Sequence, residues 1–109
     1  LKIKTLQALW LKLNERFFDG KLRPISIRLT RSRQLYGYYE PTTNSSQSVI
    51  RISGNLNKSS EDFYDTLLHE MIHQYLYEQQ IEDEADHGPK FKEHAERVGI
   101  LWDSTWGQS

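Results

Sequence analysis

His69-Glu70-Met71-Ile72-His73 sets two imidazoles four residues apart with a carboxylate between them. Residues four apart on a helix lie one turn above each other. Both imidazoles then leave one face and can share one metal ion. Glu70 projects about 100° further round. That is too far for an ideal third ligand and well placed to touch a metal-bound water. The chemistry needs this separation. Zinc (Zn2+) lowers the pKa of water towards neutrality, and a nearby carboxylate then takes its proton. The activated water attacks a peptide carbonyl, and the carboxylate returns the proton to the leaving amine.

A catalytic zinc site uses three protein ligands and keeps one position open. The remaining histidines are His87 and His94, and Glu82, Asp83, Glu84 and Asp86 are acidic candidates. His87 ends a loop just before a helix start. His94 shares a helical face with Phe91 and Val98, where a histidine is ordinarily a core residue with a satisfied hydrogen bond. Spacing favours His87 only slightly and leaves the third ligand open. Asp65, one turn before His69, is either the carboxylate that orients a ligand imidazole or a solvated helix residue.

The elements that must position these residues follow from apolar periodicity. Leu6, Leu9, Trp10, Leu13 and Phe17 recur at helical spacing, so residues 5–18 read as an amphipathic helix. Asp19-Gly20 ends it, with Gly20 suited to a left-handed cap. Residues 25–30, 35–40 and 49–52 read as strands, and residues 42–47 as a polar turn. Ser59 or Ser60 caps a helix running to about Gln79, with Glu61 and Asp62 in its first turn. Tyr64, Leu67, Leu68, Met71, Ile72, Tyr75 and Leu76 form its apolar stripe. His69 and His73 fall at the stripe's edge, half-buried. Residues 80–88 are an acidic loop. Pro89 suits a first helical position, and Gly99 stops the short helix that follows. The tail carrying Trp102 and Trp106 is expected to fold back on the body. The fold class expected is α+β: a small twisted sheet of about three strands, adjacent strands pairing, with the helices against one face.

One hundred and nine residues suit a single domain, 1–109, with one modest core. The chain has no cysteine, which excludes a disulfide framework and any thiolate zinc site. No apolar run approaches the roughly 18 residues of a membrane span, and no signal-peptide pattern is visible. An intracellular, cytoplasmic monomer without membrane contact is expected. The chain begins at Leu1 rather than Met, as an excerpt of a longer protein would. The net charge of −1 hides an asymmetry. Residues 1–33 hold nine basic and two acidic residues, the remainder five basic and thirteen acidic. Such a basic half either meets nucleic acid or supplies edge-strand charges that suppress aggregation.

Leu67-Leu68-His69-Glu70-Met71-Ile72-His73, followed by His87-Gly88-Pro89-x-Phe91, resembles the SprT-like, Spartan-related zinc metallopeptidase domain. The likeness reaches upstream to Gly37-Tyr38 and Ile50-Arg51-Ile52 and covers roughly residues 6–99. The metzincin continuation after His73 is absent. The resemblance implies His69, His73 and His87 as zinc ligands and Glu70 as general base. It implies a minimal zincin fold with an open cleft, and cleavage of proteins on DNA with DNA binding as a switch. Many such proteins carry a cysteine zinc ribbon, which this chain cannot form. DNA contact then falls either to the basic segment with Arg23, Arg28, Arg31 and Arg33 or to a region outside this sequence. Tyr36-Gly37-Tyr38-Tyr39 reads as an edge strand that aligns an extended substrate, with Gly37 allowing close backbone approach, or as an ordinary packed strand. Two functions compete: a zinc endopeptidase of broad specificity, and a non-catalytic DNA- or protein-binding module with a structural zinc. Glu70 favours the first, because a structural site has no use for a base.

Overall fold

The computed structural model describes residues 2–42 and 48–100. The elements run α1 (Ile3–Phe18), β1 (Ser26–Thr30), β2 (Gly37–Glu40), β3 (Val49–Ser53), α2 (Ser60–Glu78) and α3 (Pro89–Val98). The expected turn at 42–47 falls mostly, and the tryptophan tail almost wholly, outside the described residues.

In α1 the buried residues Leu6, Trp10, Leu13 and Phe18 follow the helical repeat. Its left-handed stop begins one residue early. Asp19 takes φ 53° and Gly20 follows at φ 70°. Aspartate is among the few residues other than glycine that tolerate this conformation.

The three strands form a sheet in the order β1-β3-β2. Pairing of adjacent strands holds for β2 and β3, which run antiparallel, but β1 pairs in parallel with β3 instead. The central place goes to β3 because Ile50 and Ile52 are both fully buried. The strand after the crossover must therefore slide between its two predecessors. Polar side chains at the end of β3 and just past it hold that crossover. Ser53 Oγ donates to the Ser32 carbonyl at 2.7 Å, and Asn57 Nδ2 donates to the Tyr36 carbonyl at 3.1 Å. Asn57 Oδ1 also accepts from Thr66 Oγ1 at 2.6 Å, which ties α2 to the same junction.

One face of the sheet joins the helices in a single core cluster that includes Ile27, Ile50, Ile52, Leu6, Trp10, Leu67 and Met71. Gly37 lies on this face, opposite Ile52. A Cβ there would stand 2.7 Å from the Arg51 carbonyl oxygen and 2.9 Å from Thr66 Cγ2. The close approach expected at Gly37 is thus made by the protein's own strand and helix. On the other face, Arg28, Arg51 and Tyr38 share one rung by register. The Arg51 guanidinium sits 6.0 Å over the Tyr38 ring, and its Nε lies 3.5 Å from Glu40 Oε2.

A capping box starts α2. Ser59 Oγ accepts from Asp62 N at 3.1 Å, and Asp62 Oδ2 accepts from Ser59 N at 3.2 Å. One apolar stripe predicts a half-exposed face, but every residue from 66 to 72 is buried. The helix is enclosed, with α1 and the sheet packing against it on one side and α3 on another. Gln74 exploits that enclosure. Its Oε1 accepts from Trp10 Nε1 at 3.3 Å, and its Nε2 donates to the Arg23 carbonyl at 2.9 Å. Among the described residues no helix is long and apolar enough to cross a membrane.

Candidate metal centre

His69 and His73 leave α2 one turn apart, and His87 reaches them from the loop before α3. The Nε2 atom of His87 lies 3.0 Å from that of His69 and 3.3 Å from that of His73. Three nitrogens bound at about 2.0–2.1 Å around one tetrahedral ion would stand about 3.3–3.4 Å apart. The observed spacing fits that arrangement, and the imidazole donors suit a borderline cation. His69 is fully buried, whereas His73 and His87 are partly exposed. An ion held there would therefore be reachable from one side. Among the described residues this is the one such cluster of potential ligands.

The three rings rest on a common apolar wall. The Phe91 ring centroid lies 4.8 Å from that of His69, 4.7 Å from that of His73 and 4.7 Å from that of His87. Phe91 itself is fully buried. Glu70 is also fully buried, one residue on from His69. Taking a carboxylate out of water is costly, and core packing has no use for it.

The other sequence candidates stand elsewhere. Asp65 sits one turn before His69 on α2. Burial raises its pKa, and Glu61 and Asp62 raise it further. Asp83 turns its carboxylate to backbone N–H groups of Glu84, Lys90 and Phe91. Desolvation acts against its ionisation, but those three bonds and the Lys90 charge outweigh it and hold the carboxyl below its usual range. Glu82 and Glu84 are exposed.

His94 faces away from the cluster. Its ring centroid is 5.1 Å from that of Tyr75, and its Nδ1 accepts from Arg97 Nε at 3.1 Å. Arg97 Nη1 also donates to the Phe17 carbonyl, so the pair latches α3 to the end of α1. Burial lowers the His94 pKa and the Arg97 charge lowers it further, against a smaller opposing pull from Glu93. Below about pH 6.5 the unfolded chain takes up a proton that the folded chain resists. The stabilisation is complete above that pH and is lost as pH falls through the lowered folded value. Urea midpoints between about pH 7.5 and about pH 5.5 should fall less in His94→Gln than in the parent.

A cleft of about 480 Å³ opens beside His73. Tyr38 and Tyr39 line it from β2, Pro41 from just past that strand, Tyr77 from α2 and Asp86 from the loop. The Tyr39 hydroxyl is pushed up to about 12, first by burial and then by Glu78, so it stays neutral at any working pH.

Residues 6–105 match the model of the SprT-like family. The chain belongs to the SprT-like family. Its SprT-like sequence is 38% identical over 103 residues to the DNA-dependent metalloprotease SPRTN of Rattus norvegicus. It is 36% identical to the Homo sapiens protein of that name, over 103 residues. Each match covers 88% of this chain and 20% of the relative. The DNA-dependent metalloprotease dvc-1 of Caenorhabditis elegans is 31% identical over 100 residues, covering 85% of this chain and 27% of that one. The chain thus spans about a fifth of the length of the SPRTN relatives. The SprT-like fold is shared with the metallopeptidase zymogen abylysin of Pyrococcus abyssi, at TM-score 0.55 and 18% identity. That likeness covers 89% of this chain and 79% of the other.

Gln74 and Asn57 escape sequence reasoning, since a buried amide reads like any helix or loop polar residue. Asp83 carries one overlooked signal: the helix start at Gly88-Pro89 has no side chain at its cap position to accept its N–H groups.

Proposed function

We propose that this chain is a zinc-dependent endopeptidase domain in which His69, His73 and His87 hold Zn2+ and Glu70 is the general base. The convergence of the three Nε2 atoms carries this reading. The relatives' description as DNA-dependent metalloproteases supports it. When bound, zinc supplies Lewis acidity and lowers the pKa of a water. Glu70 takes the proton of the attacking water and delivers it to the leaving amine. Phe91 closes the apolar side of the centre, so substrate arrives along the cleft beside His73. The outer edge of β2 offers main-chain groups to an extended protein segment. Tyr39 and Tyr77, ring centroids 5.9 Å apart, supply apolar contact without charge.

DNA contact is assigned to the basic segment. Arg28, Arg31 and Arg33 are exposed on β1 and the loop after it, and Arg23 is exposed just before β1. Arg28 shares its rung with Arg51, whose charge is already met by Glu40, so the exposed arginines of the segment itself carry the contact.

The test is digestion of an unfolded protein by the zinc-loaded chain, by the chelated chain and after zinc is restored, each with and without DNA at two salt concentrations. Cleavage should vanish on chelation and return with zinc. Any DNA effect should weaken at the higher salt, because phosphate contacts release counterions. Stoichiometric zinc without cleavage under every condition would put a binding module with a structural metal in place of the enzyme.

A further inference from the structure

The loop that carries His87 is acidic, yet one of its carboxylates is committed to the backbone. Asp83 Oδ1 accepts from Glu84 N at 2.8 Å and from Lys90 N at 3.3 Å. Its Oδ2 accepts from Phe91 N at 2.9 Å. The first helical N–H groups ordinarily need a capping side chain. The cap residue of α3 is Gly88, which has none to offer. Pro89 has no N–H, and Lys92 N bonds to the Gly88 carbonyl at 3.0 Å. Asp83 therefore satisfies the two donors that remain, from five positions before the cap. The positive end of the helix favours its charge there.

The same carboxylate closes the loop at both ends. Glu84 N lies at the start of the His87 segment, and Lys90 N and Phe91 N lie just beyond it. Gly88 belongs to this device. A Cβ at that position would collide with Asp83 Oδ1 and stand 2.7 Å from Asp83 Cγ. Phe91, whose N–H the carboxylate holds, is the residue whose ring touches all three imidazoles.

We infer that Asp83 is the positioning residue of the histidine centre: by capping α3 in place of Gly88 it sets both the reach of His87 and the height of Phe91, and so governs metal affinity without touching the metal. This rests on the reading of the three histidines as a zinc site. Capping side chains accept well as aspartate or asparagine and not at all as alanine. Groups that hydrogen-bond a ligand directly typically change metal affinity about 10–100-fold; Asp83 acts on His87 and Phe91 through the backbone and is expected within that range.

The experiment compares the parent with Asp83→Ala, Asp83→Asn and the exposed neighbour Glu84→Ala. Zinc affinity is read by competition with a chromophoric chelator, and ligand geometry by the visible spectrum of the cobalt-substituted protein. Circular dichroism of the metal-free forms checks folding. Asp83→Ala should weaken zinc binding about 10–100-fold and shift the cobalt bands, Asp83→Asn should recover most of the affinity, and Glu84→Ala should match the parent. Parental affinity and an unshifted spectrum in a folded Asp83→Ala would overturn the inference. If Asp83→Ala does not fold, Gly88→Ala decides: a methyl there displaces the Asp83 carboxylate and should weaken zinc binding and move the cobalt bands, and parental affinity with an identical spectrum overturns the role. A parent that binds no zinc would instead bring down the metal-site reading, and the positioning role with it.

Discussion

Glu70→Gln is expected to give a folded, zinc-loaded chain that cleaves protein about 10²- to 10⁴-fold more slowly, the usual worth of a positioned general base. The side chains are nearly the same shape, and Glu70 is fully buried, so the exchange opens no cavity. It leaves the three imidazoles in place. What it removes is the capacity to take a proton from water and return it to the amine. Zinc content and single-turnover cleavage should therefore separate cleanly, with the first unchanged and the second reduced. Cleavage at the parental rate would place the base elsewhere. Cleavage lost together with zinc would mean that Glu70 helps to hold the metal.

His87→Ala is expected to weaken zinc binding by more than the 10–100-fold that changes around a ligand typically cost, because it leaves only the α2 pair. The loop side chain is partly exposed, so its removal costs little packing. His94→Ala should bind zinc like the parent, since that imidazole is committed to Arg97 and Tyr75. Metal content by mass spectrometry, with circular dichroism to show that both variants fold, distinguishes the two histidines. Loss confined to His94→Ala would overturn the proposed ligand set.

The legible parts of this protein are those whose causes are local. The helix-turn repeat delivers the His69–His73 pair, and Asp62, Pro89 and Gly99 mark helix ends within a few residues of where they act. The third ligand is not local. His87 meets the α2 pair only through a loop, and spacing alone could not choose it over His94 or its acidic neighbours. The motif around Gly88 and Phe91 pointed to it by resemblance. Strand order was hidden for a similar reason. Which strand takes the centre depends on burial from both sides, and the polar residues that hold the crossover, Ser53 and Asn57, look like ordinary loop residues. The depth of His69 was misjudged because a helical wheel assumes one buried face, and α2 is covered on more than one. Asp83 read only as an acidic candidate ligand because a carboxylate that reaches across seven residues to a helix end leaves no periodic trace.

The insertion of β3 between its two predecessors sets an order of assembly. When β1 and β2 leave the ribosome, neither has its partner, because both hydrogen-bond to the strand that follows. The face on which α2 packs is finished only after that strand arrives, and the loop with His87 comes later still. The three histidines can therefore be brought together only once the β3-centred sheet, α2 and the His87 loop are all in place. Under the proposed function, a partly folded copy would lack the assembled histidine site, and zinc, by binding the finished form, would favour completion.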